Sequence, residues 1–228
     1  MLEFPRFPGE VCKNDGIFIF GARCPKPFVF VYEQNSLEVV YGPSCKPDLE
    51  LNLERCITEG VPVQKRRGGG GTVILAPGVV VTIIVGERTA GESALCIFDK
   101  IHNAMISLFR KEGIEKIEKK GISDLAIQNR KILGSSLYMG SHPCLYYYQS
   151  SLLVSADISL MNRYLQYPPR EPDYRKGRGH ETFCTTLHEQ GFSISAARVC
   201  TLFGSGLQEQ LSSTTEQDSF EKSTFNKL

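Results

Sequence analysis

The segment with the clearest chemical potential is a run of cations followed by four glycines and a β-branched stretch. It reads Lys65-Arg66-Arg67-Gly68-Gly69-Gly70-Gly71-Thr72-Val73. Because glycine has no Cβ, such a loop lets backbone N–H groups converge on an anion or a carboxylate. The ending of a Walker phosphate loop is missing and no helix follows, so this is not a P-loop. Taken alone, the segment also fits a flexible hairpin with a solvated basic face.

The second suggestive segment is residues 121–138, which read GISDLAIQNRKILGSSLY. A small polar turn at Ser123-Asp124 leads into a strand, and Arg130-Lys131 and Gly134-Ser135-Ser136 follow. A lysine carries one long, flexible ammonium that can contact an acyl carbonyl and a phosphate together. Lys131 is therefore a candidate for stabilising negative charge on a reacting group. Taken alone, a lysine in a strand is more often simply solvated.

Together, the two segments resemble the lipoate–protein ligase A branch of the biotin/lipoate protein ligase superfamily. That family carries Arg-Arg-x-Ser-Gly-Gly-Gly, then Ala or Thr and Val, where this chain has residues 65–73. Downstream it carries Asn-Asp-Leu and Arg-Lys-Ile-x-Gly-Ser-Ala, where this chain has Ser123-Asp124-Leu125 and residues 130–136. A third block, SSLLVSADISLMNRYL, matches the family's leucine-rich strand and the helix after it. The resemblance runs from about residue 28 to residue 211.

The resemblance implies an α/β (α+β) fold with a mixed, largely antiparallel sheet packed with helices, as in class II synthetases and biotin ligases. It also implies an enzyme that uses ATP and Mg²⁺ to activate lipoate or octanoate as the acyl-adenylate. The acyl group would pass to a lysine of a lipoyl domain or an H-protein-like carrier. Lys131 is the implied catalytic residue, because a fixed cation and preorganised N–H donors stabilise charge in both steps.

The resemblance also implies a set of substrate- and adenylate-binding residues. They are Lys65, Arg66, Gly68, Gly69, Gly70, Gly71, Thr72, Val73, Asp124, Gly134 and Ser135. Asp124 would either hold Mg²⁺ near the phosphates or orient Lys131. The Val- and Ile-rich strands from residue 72 to residue 85 and from residue 145 to residue 154 would line a tunnel for the acyl chain, or they are plain core.

This chain departs from the family pattern at several places. Lys65 stands where the family has Arg, and Gly68 where it has Ser. Leu75 and Gln149 stand where the family has histidines. The family's first helix, with its Asp-Glu pair, has no counterpart in residues 1–27, and no stretch corresponds to its C-terminal accessory domain. We therefore expect that a separate accessory protein supplies that function.

Two alternatives stay open. Octanoyl- and lipoyl-transferases of the same fold use a cysteine thioester instead of ATP, and Cys144 and Cys184 are the candidates here. Alternatively, the chain is a non-catalytic relative that binds an acyl-adenylate or a carrier. In the loop YPPREPDYRKGRGHETF, the basic residues either meet an acidic carrier domain or belong to a rigid surface loop; they are Arg170, Arg175, Arg178 and His180.

Composition narrows the function classes further. The 228 residues carry a formal net charge of +1, which does not favour nucleic acid or a membrane surface as a partner. The N-terminus lacks the pattern of a secretory signal, so we expect a cytoplasmic protein. The eight cysteines include no CxxC pair, which favours free thiols over a zinc or redox site.

The helices and strands that position these residues can be predicted from hydrophobic periodicity and from the Gly and Pro residues that interrupt it. The pattern predicts an irregular segment over 1–27, a catalytic domain over 28–211 and a disordered tail over 212–228. Its best helix spans about 91–111, with apolar positions at three- and four-residue steps. Further helices are predicted over 181–190 and 196–210. The main predicted strands are 28–33, 79–86, 131–138 and 145–155.

Overall fold

The computed structural model describes residues 13–89, 91–141 and 143–225. Its strands are β1 (Phe28–Glu33), β2 (Glu38–Tyr41), β3 (Val63–Lys65), β4 (Val73–Leu75), β5 (Val79–Glu87), β6 (Ile117–Lys120), β7 (Asp124–Ile127), β8 (Arg130–Met139) and β9 (Leu145–Leu153). Its helices are α1 (Lys13–Gly21), α2 (Pro47–Glu50), α3 (Leu53–Thr58), α4 (Ala94–Lys111), α5 (Ser159–Tyr164), α6 (His180–Phe183) and α7 (Ala196–Phe225), with a 3-10 turn at Asp173–Arg175.

Two sheets organise the molecule. The larger one has six antiparallel strands in the order β1-β5-β9-β8-β7-β6, and the smaller has three in the order β3-β2-β4. In the small sheet, β2 pairs parallel with β3 and antiparallel with β4. The expected class, a mixed and largely antiparallel sheet packed with helices, is confirmed.

Strand β5 is an inner strand of the larger sheet, paired with β1 and β9, and both of its faces are covered. All of its residues except Glu87 are buried, so its sequence is a continuous apolar run without alternation. One face packs against α4 and α7 through the cluster that contains Val80, Ile84, Met105 and Phe203. The other face packs against α1, the small sheet and α6. The second face is the one on which the candidate site lies.

The β7–β8 hairpin has two irregularities that shape this site. Gln128 and Asn129, with φ of 50° and 60°, form a two-residue turn in the left-handed region. The register then shifts, because Ala126 pairs with Lys131 whereas Leu125 pairs with Leu133. This β-bulge leaves one extra residue in β8, and such bulges re-aim side chains beside sites.

The N-terminal segment differs from its prediction as irregular. Residues 1–12 lie outside the described residues, but Lys13–Gly21 forms helix α1. The sequence of this helix has little intrinsic helix preference, so tertiary contacts stabilise it. The Tyr32 hydroxyl donates to Asn14 Oδ1 at 2.6 Å, and the Phe18 ring stacks on Tyr147 with centroids 4.7 Å apart.

The prediction of a helix over 181–190 is wrong, because the helix in this region spans only His180–Phe183. Beyond it, the chain bonds to the ends of the large sheet instead of to itself. Thr185 N donates to Lys131 O at 2.9 Å, and Leu187 N donates to Leu153 O at 3.0 Å. These bonds place Cys184 beside Lys131.

The sequence predicts a disordered tail over 212–228, but α7 continues to Phe225. Residues 226–228 lie outside the described residues. The first half of this helix packs on the core, and adding residues to a formed helix is far easier than nucleating one. Among the described residues, no helix has the length and apolar character needed to cross a membrane.

A buried histidine in α4 makes the fold sensitive to acid. His102 is 1% exposed, and burial lowers its pKa to about 4. The unfolded chain, with a histidine pKa of about 6.5, binds more protons than the fold between these values. We therefore expect the free energy of unfolding to fall by up to about 3 kcal/mol as the pH drops from 6.5 to 4. Urea denaturation of the wild type and His102→Gln across this range tests it: the difference between them should change with pH, and a constant difference would contradict the assignment.

Candidate active site

The centre of the candidate site is an ion pair on the β7–β8 hairpin. Lys131 Nζ lies 2.7 Å from Asp124 Oδ1, and the two side chains are 26% and 8% exposed. The bulge explains the encounter. Lys131 lies opposite Ala126 before the shift and Gly134 lies opposite Asp124 after it, so both β8 residues are on the Asp124 face of the sheet.

Gly134 leaves the space that the lysine side chain needs. A Cβ built on Gly134 would lie 2.7 Å from both Cε and Nζ of Lys131. Real Cβ atoms are not found that close to other heavy atoms, so any larger residue would displace the ammonium. The glycine of the Arg-Lys-Ile-x-Gly motif therefore has a direct steric function in this chain.

A third residue, which the sequence did not single out, completes this cluster. Tyr174 Oη donates to Asp124 Oδ2 at 2.9 Å. Burial and the neighbouring Asp124 charge raise the pKa of Tyr174, so its hydroxyl keeps its proton and remains a donor. Asp124 thus has a cation on one oxygen and a neutral donor on the other, which offsets the cost of burying its charge.

Two buried or half-buried arginines hold the loop that delivers Tyr174. Arg175 is 5% exposed; its Nε donates to Arg178 O at 2.8 Å, and its guanidinium lies 4.9 Å from the Phe183 ring centroid. The Arg178 guanidinium donates to Tyr174 O at 2.7 Å and to Asn129 O at 2.9 Å. Arg175 and Arg178 thus bind the loop's own backbone, which fits the rigid-loop interpretation for these two residues, whereas Arg170 is exposed.

Arg66 organises the glycine loop from within. Its guanidinium donates to the carbonyl oxygens of Gly69 at 2.8 Å, Gly71 at 2.7 Å and Val40 at 3.2 Å. Arg66 is 6% exposed. It therefore fixes the loop by binding its carbonyl groups, in addition to carrying charge near a ligand.

Close approach of backbone to backbone also sets the position of the loop. A Cβ on Gly42 would lie 2.2 Å from Gly70 O, and Gly70 itself has a φ of +90°. Both glycines are thus required by geometry. Arg67 is directed elsewhere: its Nε lies 3.9 Å from Asp15 Oδ2 on α1, so α1 packs against the end of the loop.

A cavity of about 610 Å³, partly open to solvent, joins the hairpin and the glycine loop. The sequence-predicted residues that line it are Arg66, Gly70, Gly71, Thr72, Val73, Asp124, Lys131, Gly134 and Ser135. Lys65 is exposed at the end of β3 and lines neither this cavity nor its neighbour. Gly68 and Gly69 are also absent from both linings, although Gly68 contacts the inner wall.

A second cavity, of about 920 Å³, continues from the first. The two share Gly71, Thr72, Val73, Lys131, Gly134 and Ser151, so Lys131 lies where they meet. The far wall of the second cavity comes from residues 161–184, including Arg170 and His180. Burial, together with the charge of Arg175, lowers the pKa of His180 to about 4, so this histidine is neutral near pH 7.

Of the two candidate cysteines, only one is near this site. Cys144 is exposed in the β8–β9 turn, lines neither cavity, and its thiol donates to Ser141 O at 3.2 Å. Cys184 is buried and lines the second cavity. Burial raises the pKa of the Cys184 thiol, which disfavours the reactive thiolate.

The expectation that Asp124 holds Mg²⁺ does not fit this geometry. Both carboxylate oxygens already have partners in Lys131 and Tyr174. In the described part of the chain, no group of three or more His, Cys, Asp or Glu side chains could hold a metal ion. Asp124 fits the other role considered for it, which is to orient Lys131.

Comparison with known proteins gives a consistent set of matches. The family model for the "Lipoyl protein ligase A/B catalytic domain" matches residues 21–208. A curated relative from Schizosaccharomyces pombe, described as "Putative lipoate-protein ligase A", is 28% identical over 137 residues. This match covers 59% of the present chain and 35% of the relative, so the chain spans about a third of that protein's length.

Two solved structures are similar in fold. One is a bipartite lipoate protein ligase from Thermoplasma acidophilum, with a TM-score of 0.70, 18% identity, and coverage of 82% of this chain and 72% of that one. The other is a lipoate-protein ligase A bound with ATP, with a TM-score of 0.68, 18% identity, and coverage of 82% and 73%. At such identities the similarity shows the fold alone.

Replacement of Gly134 tests the steric account of the ion pair. In Gly134→Ala, the added methyl group should push Nζ more than about 4 Å from Asp124 Oδ1, beyond ion-pair contact. Moving the flexible end of the lysine is itself cheap, but the buried Asp124 carboxylate would lose a partner, so the free energy of unfolding should fall by about 1–3 kcal/mol. A crystal structure and urea denaturation measure the two effects. Gly204→Ala is the control, because a Cβ there meets nothing within 4 Å and alanine favours a helix; an intact ion pair in Gly134→Ala would refute the account.

Removal of one hydroxyl tests the link between Tyr174 and Asp124. Tyr174→Phe should lower the free energy of unfolding by about 1.5–3 kcal/mol, because it removes a hydrogen bond to a buried charged group. Tyr167→Phe is a matched control, since the Tyr167 hydroxyl donates to the exposed Glu171 and its loss should cost under about 0.5 kcal/mol. Chemical denaturation of both variants at neutral pH gives the comparison. Equal losses would mean that the Tyr174 hydroxyl has no special role.

Proposed function

The chain belongs to the lipoyl protein ligase A/B catalytic domain family, and on that premise we propose that it is an ATP-dependent lipoate–protein ligase. It activates lipoate or octanoate as the acyl-adenylate and transfers the acyl group to a lysine of a lipoyl-domain or H-protein-like carrier. The observation that carries the proposal is the Lys131–Asp124 pair at the junction of two cavities, beside a glycine loop held by Arg66.

The first cavity suits the acyl chain. Val40, Val73, Leu75 and Val81 give it aliphatic walls. Each buried methylene of a medium-chain acid contributes about 0.8 kcal/mol to binding. The strands from residue 72 to residue 85 would therefore serve both of the roles considered for them, since Val73, Leu75 and Val81 line this cavity and Val80 and Ile84 belong to the core.

The chemistry of activation needs positive charge at the junction of the cavities. A carboxylate oxygen attacks the α-phosphorus of ATP, the bond to pyrophosphate breaks, and the acyl-adenylate forms. Lys131 would stabilise the charge that develops on the phosphate oxygens. Asp124 and Tyr174 hold the ammonium in place, so little reorganisation is needed during the reaction. Mg²⁺ would enter with the nucleotide, and no step here depends on a protein ligand for it.

The transfer step uses the same lysine. The carrier lysine attacks the acyl carbonyl as a free amine, an amide bond forms, and AMP leaves with the electrons of the broken acyl–phosphate bond. The Lys131 ammonium would stabilise the negative charge that develops on the carbonyl oxygen. The N–H groups of Gly70 and Gly71 donate no hydrogen bond to the described residues, so they are free to assist.

Carrier and accessory partners follow from the same proposal. The archaeal ligase with a similar fold is described as bipartite and together with its E2 lipoyl domain. By analogy, we propose that a lipoyl domain is the acyl acceptor and that a separate accessory-domain protein assists adenylation. We also propose residues 28–211 as the catalytic unit, in close agreement with the matched residues 21–208.

A second candidate function has one observation in its favour. Cys184 lines the second cavity, and its backbone pairs with that of Lys131, so a thiol lies close to the proposed reaction centre. A transferase would move the acyl group from a thioester donor to this sulfur and then to the carrier. The raised pKa of the Cys184 thiol makes the ligase the stronger proposal.

One experiment separates these functions. The protein is mixed with lipoate or octanoate, ATP, Mg²⁺ and an apo lipoyl domain, and the intact mass of the domain is measured. A mass gain that requires ATP supports the ligase. A gain only from an acyl-carrier thioester supports the transferase. No gain even from preformed lipoyl-adenylate identifies a non-catalytic binder.

Lysine replacement gives the sharpest test of the mechanism. We expect Lys131→Ala to lower the ATP-dependent rate by about 10²–10³-fold, because one electrostatic donor to the transition state is lost. Lys131→Arg should not restore it, since a planar guanidinium does not replace a point ammonium. Lys116→Ala, at an exposed position outside both cavities, controls for loss of positive charge. Cys184→Ser should keep the rate within a few-fold; an inactive Cys184→Ser with an active Lys131→Ala would reverse the assignment.

A further inference from the structure

The first cavity is called the acyl cavity from here on, and its inner end is the end away from Lys131. This inner end contains polar groups that the mechanism does not use. Gln149 and Ser136 are each 6% exposed and line this cavity. Gln149 Nε2 and Ser136 Oγ are buried and have no hydrogen-bond partner among the described residues. Buried polar atoms normally have partners, so two such atoms on one cavity wall indicate a site for a polar ligand group.

Their position relative to the reaction centre follows from strand register. Ser136 pairs with Gln149, and two residues along the same strands Gly134 pairs with Ser151 at the Lys131 end. Side chains two apart in a strand share a face and are separated by about 7 Å. The polar pair therefore lies about 7 Å further along this face than Gly134, the residue beside the Lys131 ammonium.

The orientation of the amide is set by a third residue. The Tyr147 hydroxyl donates to Gln149 Oε1 at 3.1 Å. This bond occupies the amide oxygen and leaves the NH₂ group without a partner among the described residues. Burial of the whole pair against the sheet means that bulk water does not compete freely for that donor.

The sequence departures from the family pattern meet at this same point. A Cβ built on Gly68 would lie 2.6 Å from Ser136 Oγ and 3.2 Å from Gln149 Nε2. Gly68 stands at the motif's Ser, Ser136 at its Ala and Gln149 at its His. Leu75, a fourth departure, lines the same cavity. Around Lys131, by contrast, Asp124, Gly134 and Ser135 keep the family pattern, although Ser123 stands at the motif's Asn.

We propose that Gln149 and Ser136 select the acyl substrate, favouring medium-chain carboxylic acids that carry a hydrogen-bond acceptor at the far end over acids with a plain alkyl end. The inference rests on the proposed function, in that the cavity must hold an acyl chain. An acid without an acceptor leaves the buried donors unpaired, and sites of this kind discriminate strongly against analogues that lack the bonding group. Lipoate, whose ring sulfurs are weak acceptors, falls between octanoate and an oxygen-terminated acid.

The test measures equilibrium binding, independently of turnover. The protein is titrated calorimetrically with octanoate, ω-hydroxyoctanoate and lipoate. We expect ω-hydroxyoctanoate to bind about tenfold more tightly than octanoate, as one additional hydrogen bond provides. Gln149→Leu should reduce this ratio to near one, mainly by improving octanoate binding, and Ser136→Ala should reduce it by about half or more. Val73→Ala is the matched control, because loss of an aliphatic wall should weaken all three acids by a similar factor.

The outcomes distinguish this inference from the proposed function. Equal affinities for the three acids, an unchanged ratio in both Gln149→Leu and Ser136→Ala, or no binding of any acid would overturn the inference even if the carrier gains mass with ATP. A clear preference that the two substitutions remove would support it even if no ATP-dependent transfer occurs. Far-ultraviolet circular dichroism of each variant confirms that it is folded before titration.

Discussion

Asp124 is a buried carboxylate, and most of the candidate site follows from the need to stabilise its charge. An isolated ionised carboxylate inside a protein costs several kcal/mol, and its neighbours must offset that cost. Lys131 supplies the counter-charge and Tyr174 supplies a neutral donor. Each partner in turn requires its own support. The bulge and Gly134 let the lysine reach the carboxylate, and the arginine-anchored loop fixes the tyrosine.

The glycine loop also depends on a buried charge that its neighbours must stabilise, and here the charge is the positive guanidinium of Arg66. Arg66 is buried, and it satisfies its donors with carbonyl oxygens of the loop that it stabilises. The carbonyl groups therefore face the arginine, and the N–H groups of Gly70 and Gly71 have no bond to the described residues. Gly42 allows the required approach of one backbone to another. A loop of four glycines loses much entropy on folding, and a buried guanidinium with several fixed acceptors is a suitable way to offset that loss.

The sequence was most informative where one local pattern determines one element. The apolar run of β5 and the three- and four-residue periodicity of α4 predicted both elements to within a few residues, because burial dictates those patterns directly. Lys131 and Asp124 were found through a motif, although only the structure shows the bulge that brings them together. Helix α1 was missed because Tyr32, Arg67 and Tyr147 stabilise it from distant positions. Tyr174 was missed for the same reason, since nothing local marks a tyrosine whose partner is 50 residues away.

The two ends of the acyl cavity are formed by different residues. Substrate selectivity at the inner end could therefore change while the proposed catalytic role of the Lys131 end is kept. The Lys131 end depends on a costly buried charge, so substitutions there are strongly constrained. The inner end depends on contacts among side chains from the glycine loop, β8 and β9. A Cβ at position 68 would lie 2.6 Å from Ser136 Oγ, so any side chain at 68 requires the Ser136 hydroxyl to move. The two positions are therefore energetically coupled, as contacting residues generally are. Ser136 presents its hydroxyl from β8, whereas a serine at position 68 would present one from the glycine loop, and neither position belongs to the Lys131–Asp124 ion pair.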